Sequence, residues 1–259
     1  MGKIIFTISG KGGTGKTTVG AGVTSCLGIL GHKTVLIDVD CGLRNADIIL
    51  GISDKAVMHL GDVLSGNVKC DDALVKHPEI PNLSVLAAPS RETELDIEKL
   101  RVLIDVLTEV FDFVWIDGSA GLNDKLAAMA DMSDTVVIIV TPDVVSMRDA
   151  ARASEMLSDE KSVYLVVNRV RPRLVTEDIA LYIDDIMDGT GIPLLGVIPE
   201  DERVIAATNK GIPLVSLSQD GAAEAYRDIA LRILGERVQV SDMKVTSRVK
   251  RAFLAKIKS

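Results

Sequence analysis

Short apolar runs recur along the chain, separated by longer stretches in which apolar residues return every three or four positions. The runs are Ile4–Ile8, Thr34–Asp38, Leu83–Ala87, Phe113–Asp117, Thr135–Val140, Val163–Val167 and Leu195–Ile198. They are close to fully apolar and do not alternate, so they predict strands buried on both faces, the habit of parallel sheets. The stretches Val19–Leu30, Asp96–Val110 and Met147–Leu157 predict helices, with Asp96 and Glu98 marking the start of the second. Strand and helix in alternation predict an α/β fold of three layers, a mostly parallel central sheet with helices on both faces.

Composition narrows this picture. A chain of 259 residues suits one open α/β domain, and no internal repeat or linker divides it. Apolar content is 47% and aromatic content 3%, so the core must be built from Val, Ile, Leu and Ala. The net charge of −8 argues against a chain that coats nucleic acid. Its distribution is uneven: Lys244–Ser259 holds six Lys/Arg and no acid, while residues 1–243 hold 23 basic and 37 acidic residues. The reading is therefore a domain over 1–240 and a separate basic tail over 241–259. Cys26, Cys41 and Cys70 are far apart and form no C-x-x-C pair, which speaks against zinc and iron–sulfur frameworks and fits reduced thiols in a cytoplasm. Lys3–Ser9 reads as a strand, not a signal peptide, and no apolar run approaches the roughly 18–20 residues that span a bilayer.

The first strand runs into "GKGGTGKT", Gly10–Thr17. Gly10, Gly15, Lys16 and Thr17 satisfy G-x-x-x-x-G-K-[ST], the phosphate loop of P-loop NTPases. Glycines let backbone N–H groups face phosphates, and the following helix N-terminus adds partial positive charge. The candidate nucleotide-binding residues are Gly10, Lys11, Gly12, Gly13, Thr14, Gly15, Lys16, Thr17 and Thr18. Lys16 is expected on the β- and γ-phosphates and the Thr17 hydroxyl on Mg²⁺.

A phosphate loop needs one lysine, and this one has a second, Lys11. The stretch K-G-G-T-G-K-T, Lys11–Thr17, resembles the deviant Walker A motif of the MinD/ParA ATPases, a family that also holds the nitrogenase iron protein and arsenical-pump ATPases. The resemblance implies that Lys11 crosses a nucleotide-sandwich homodimer to the partner's phosphates, so that hydrolysis depends on dimerisation. A cation there would stabilise the charge of the transferred group.

Asp38 and Asp40 would project to the same side of an extended strand that ends beside the loop, where magnesium and water must be managed. The resemblance implies that Asp38 lies near Mg²⁺ through water and that Asp40, in switch I, positions the attacking water. Lys11, Lys16 and Asp40 are thus the catalytic candidates. The run D-x-D-x-G-L-R-N-x-D, Asp38–Asp47, resembles the MinD branch most, which implies a dimer-surface position for Arg44, Asn45 and Asp47. Asp117 ends an apolar strand before "GSAG", the Walker B and switch II arrangement. It is expected to hold a Mg²⁺-bound water, with amides near Gly121 sensing the γ-phosphate. The family's D-S-P-A-G reads D-G-S-A-G here, and losing proline while gaining Gly118 is expected to loosen the loop.

Asn168 and Arg169 end one strand and Pro199, Glu200 and Asp201 end the next. Alone, each would be an ordinary strand-end loop. The resemblance assigns both segments to adenine, and Asn can meet a base edge as donor and acceptor. No guanine signature of the N-K-x-D kind is present.

In the tail, Val249, Phe253 and Ile257 fall at helical spacing with Leu254 alongside, flanked by Arg248, Lys250, Arg251, Lys256 and Lys258. Such a helix can lie in an anionic membrane interface, and members of the MinD branch end in one. A helix packed on the body and a basic nucleic-acid-binding tail are the alternatives, and the apolar stripe speaks against the second. The resemblance implies an ATP- and Mg²⁺-dependent switch that dimerises, binds the inner face of the cell membrane from the cytoplasm in its ATP state, and places the division site with protein regulators. Flagellar placement and cargo partitioning of the ParA type are the alternatives. The acidic body gives no basis for specific nucleic-acid binding, and the cysteines are misplaced for a reductase like the iron protein.

Overall fold

The computed structural model describes residues 1–121, 124–158 and 161–239. Its strands are β1 (Lys3–Ser9), β2 (Thr34–Asp38), β3 (Val75–Lys76), β4 (Leu83–Leu86), β5 (Phe113–Ala120), β6 (Thr135–Val140), β7 (Ser162–Val170) and β8 (Leu194–Pro199). Its helices are α1 (Lys16–Ile29), α2 (Ala46–Ile49), α3 (Leu60–Leu64), α4 (Cys70–Ala73), α5 (Ile97–Thr108), α6 (Asp124–Met132), α7 (Val144–Glu155), α8 (Pro172–Thr176), α9 (Ile183–Thr190), α10 (Glu202–Lys210), α11 (Leu214–Leu217) and α12 (Ala222–Ile233). One sheet forms in the order β3-β4-β2-β5-β1-β6-β7-β8. Every pairing is parallel except β3 with β4. The two-residue edge strand β3 is too short to leave a pattern in the sequence.

The sheet separates two apolar layers. Phe6, Ile37 and Ile116 face one, which includes Leu100 and Ile104 of α5. Ile5, Leu36 and Trp115 face the other, with Val19 and Val23 of α1 and Ile229 of α12. Successive residues of a strand point to opposite faces, so two covered faces demand an unbroken apolar run. All residues of β2 and β6 are accordingly buried. Asp96 caps α5 by accepting from Lys99 N at 3.2 Å, as its place before the periodic stretch predicts.

After Asp117 the chain stays in the sheet. Gly118–Ala120 continue β5, Ala120 pairs with Ser9, and Gly121 N donates to Ser9 O at 3.0 Å. A Cβ at Gly118 would stand 2.7 Å from the Phe6 ring and 2.8 Å from Thr7 O, so glycine lets β5 lie against β1 here. The ends of β1, β2 and β5 place Thr7, Asp38 and Asp117 side by side, with Asp117 directly opposite both of the others. The tail, with Val249, Lys250, Arg251, Phe253, Leu254 and Ile257, lies outside the described residues.

Candidate nucleotide site

The loop between β1 and α1 turns through left-handed conformations at Gly13 (φ 82°) and Gly15 (φ 88°) and enters the helix directly at Lys16. It borders a cavity of about 320 Å³ lined by residues 12–18, Asp40, Asn45 and Arg169. Asn168 braces the loop from below: its Nδ2 donates to Thr14 O at 2.7 Å and occupies the space that a Cβ on Gly15 would need. One N–H of the Asn168 amide is therefore engaged by the loop, which leaves its second N–H and its oxygen as the groups able to meet a base.

Lys16 is buried and its Nζ donates to Asp117 Oδ1 at 2.8 Å. Asp117 Oδ2 is buried without a hydrogen-bond partner among the described residues. An orphaned carboxylate oxygen next to the Lys16 that opens α1, with the Thr17 hydroxyl following on the cavity wall, is a donor set that fits a hard cation with water in its shell, so the residues present suit Mg²⁺. Asp38 is differently placed. Its Oδ1 accepts from Asp40 N at 2.9 Å and its Oδ2 from Asn45 N at 3.2 Å and Ala46 N at 3.1 Å. It thus ties the switch I turn to the end of β2. Burial, then repulsion from Asp117, pushes the Asp38 carboxyl up to about 6 against those backbone donors and Lys16. Asp40 borders the cavity, and burial raises its carboxyl too, with Lys16 opposing.

Lys11 Nζ lies 3.0 and 3.1 Å from the two carboxylate oxygens of Asp143, the residue before α7, and both side chains stay partly exposed. Of the residues expected at a dimer surface, Asp47 needs correction. Arg44, at φ 45°, turns inward: its Nε donates to Asp47 Oδ2 at 2.9 Å and its Nη2 reaches Ala56 O. Asp47 is 2% exposed, so it does not lie on a surface. The half-buried guanidinium thus meets the Asp47 carboxylate and a carbonyl at once, while Asp47 Oδ1 is without a partner among the described residues. Asn45 stays on the cavity wall. The Gly121 amide, expected to sense a phosphate, is engaged by Ser9 O.

Arg169 lines the cavity at φ 57°. Pro199, Glu200 and Asp201 follow at the end of β8 but are not among its lining residues. Glu200 N donates to Val170 O at 2.9 Å, and its carboxylate pairs with Arg171. Asp201 caps α10 through Arg203 N at 3.0 Å and also takes the Arg203 guanidinium at 2.8 Å and Ala222 N at 3.2 Å. The Arg203 hydrogen bond holds its carboxyl below the usual range. Asp201 thus secures the loop before α12.

Comparison with known proteins decides the family. The CobQ/CobB/MinD/ParA nucleotide binding domain matches residues 5–214. The septum site-determining protein MinD of Bacillus subtilis is 37% identical, over 100% of this chain and 98% of its own. The chain belongs to the MinD family. Among solved MinD structures, the MinC:MinD complex of Aquifex aeolicus is 33% identical with a TM-score of 0.85, covering 92% of this chain and 98% of that one. MinD of Pyrococcus horikoshii complexed with Mg-ADP is 29% identical with a TM-score of 0.80, covering 90% and 96%. As a MinD-family protein the chain is a nucleotide-binding ATPase of P-loop fold. Among the described residues, no helix is long and apolar enough to cross a membrane.

Three residues beside this MinD-type site were not singled out from the sequence: Thr7, Trp115 and Asp143. Asp143 has the look of a helix cap, in "PDVVS". Nothing local marks it as the partner of Lys11, 132 positions away.

Proposed function

We propose that this protein is an ATP- and Mg²⁺-dependent dimerising switch that attaches to an anionic membrane surface in its ATP state and helps position the division site together with protein regulators. The observation that carries the reading is Lys11. It stands beside a complete phosphate loop, in contact with a partly exposed carboxylate, where a solvated ammonium can leave for a second copy of the chain.

The residues divide the work as follows. The amides of Gly12–Gly15 and the N-terminus of α1 cradle the phosphates, and Lys16 moves from Asp117 to the β- and γ-phosphates. Thr17 and Asp117, with Asp38 close to Asp117, would hold Mg²⁺, which would neutralise phosphate charge when bound. Asp40 orients a water against the γ-phosphorus; the P–O bond to the β-phosphate breaks and the water's protons end on phosphate and solvent. Lys11 of the second protomer stabilises the charge spread over the transferred group. Arg169, the Asn168 oxygen and the 199–201 turn border the adenine. Gly121 and Asn45 lie where a γ-phosphate would reorder the switches.

A short basic amphipathic tail is marginal as a helix in water and weak as a lone anchor. Two tails on one dimer gain on the order of 10²–10⁴ by avidity, so dimerisation would place the protein on the inner face of the membrane and hydrolysis would return it to the cytoplasm. Light scattering with ATP and Mg²⁺ tests the dimer. The wild-type chain should dimerise, Asp40→Ala should persist as an ATP-bound dimer, and Lys11→Ala should bind ATP yet stay monomeric. A normal ATP-dependent dimer of Lys11→Ala would overturn the role across the interface.

A further inference from the structure

Trp115 is the one tryptophan of the chain and is fully buried on β5, two residues before Asp117. An added Cβ at Gly20 of α1 would stand 2.9 Å from the indole Nε1, so the ring is wedged under the helix that follows the phosphate loop. That indole N–H donates to Thr7 Oγ1 at 3.1 Å. Thr7 lies on β1 directly opposite Asp117. Its hydroxyl carries one proton, and the indole already occupies an acceptor position. The one proton is left to be shared between Ile116 O, the nearer acceptor at 3.1 Å, and Asp117 Oδ1 at 3.4 Å. Lys16 reaches the same Oδ1. Both neighbours fall on one oxygen of Asp117, and the other, Oδ2, has no partner among the described residues.

We propose that Thr7, oriented by Trp115, is a positioning residue for Asp117: it fixes the rotation of the carboxylate so that Oδ2 faces the Mg²⁺-bound water. This rests on the assignment of Asp117 to the metal site. The 3.4 Å contact is too long to hold by strength. It acts by direction: with the indole on its acceptor side, the Thr7 proton is shared between Ile116 O and Asp117 Oδ1, and what reaches Asp117 falls on Oδ1 and not on Oδ2. Valine at position 7 fills the same volume and offers no proton, so the carboxylate can turn Oδ2 toward Lys16. Trp115 supplies the constraint, which gives a reason for the lone tryptophan of the chain.

The test is calorimetric binding of ADP to the full chain with and without Mg²⁺, a readout independent of turnover. In Thr7→Val the Mg²⁺-dependent gain in ADP affinity should shrink by about tenfold or more, as loss of an outer-shell partner does, while Mg²⁺-free ADP affinity holds. Thr7→Ser should restore the gain. Thr7→Val also strands the indole N–H, so Thr7→Val/Trp115→Phe serves if the single variant fails to fold, and the same loss is expected. A full Mg²⁺-dependent gain in the valine variants would overturn the proposal. Asp117→Asn separates the two levels. If it abolishes the gain while Thr7→Val does not, the positioning role is wrong; if Asp117→Asn keeps the gain, the metal-site assignment itself is wrong.

Discussion

Lys11 Nζ bridges both carboxylate oxygens of Asp143, the residue that caps α7 by accepting from Ser146 N at 2.9 Å. Burial alone would raise the Asp143 carboxyl, but hydrogen bonds from Thr141, Ser146 and Lys11 outweigh it and hold the group below its usual range. The lysine that the proposed dimer would need across its interface is thus held at home by a carboxylate. The pair is partly exposed, so it is worth no more than about 1 kcal/mol. Asp143→Asn keeps the cap, since Asn is as good there, and removes the charge. It should lower the protein concentration needed for ATP-dependent dimerisation by up to about thirtyfold, because each dimer frees two such lysines. Sedimentation equilibrium measures this, and an unchanged or weaker dimer would refute the restraint.

Lys16 and Asp117 form a buried pair. Lys16→Met should remove nucleotide binding and also leave a buried carboxylate uncompensated, costing about 3 kcal/mol in nucleotide-free unfolding experiments. Lys16→Met/Asp117→Leu should recover most of that stability and none of the binding. A single variant as stable as the wild type would show that the pair is not coupled.

Asp38 makes stability depend on pH. Its folded-state value, about 6, lies above the unfolded value of about 3.9. Between the two, the folded protein binds the extra proton. Its contribution is therefore most favourable below about pH 4 and declines as pH rises to about 6, by roughly 2–3 kcal/mol. The nucleotide-free chain, unfolded by denaturant across pH 4–7, should show this decline relative to Asp38→Asn. Parallel curves for the two proteins would contradict it.

The fold was legible in the sequence where a single cause dominated. Both sheet faces are covered, so seven strands announced themselves as apolar runs, and the glycines and Lys16 of the phosphate loop declared its geometry. What stayed hidden depends on pairings between distant residues. The inward turn of Arg44 follows from Asp47 and Ala56 being within reach, and a surface arginine has the same local sequence. The engagement of Asn168 by Thr14 joins positions 154 apart. The place of Gly118 in β5 stayed hidden because the Phe6 ring that fills its missing side chain lies on another strand.

That packing yields its own prediction. Gly118→Ala must displace the Phe6 ring or the backbone at Thr7, since the added carbon falls 2.7 and 2.8 Å from them. A loss of about 1–3 kcal/mol is expected, with slower switching because β5 would part from β1 before Gly121. Equal stability in thermal unfolding would show that the strand ends are looser than the close packing implies.

The central claim is that nucleotide state controls membrane attachment through dimerisation. Co-sedimentation with anionic vesicles tests it most directly, using the full chain and a chain truncated after Val240, each in ATP·Mg²⁺ and in ADP·Mg²⁺. The account predicts pelleting of the full chain in ATP only and none of the truncated chain. Equal pelleting in ATP and ADP, or no pelleting in any condition, would contradict it.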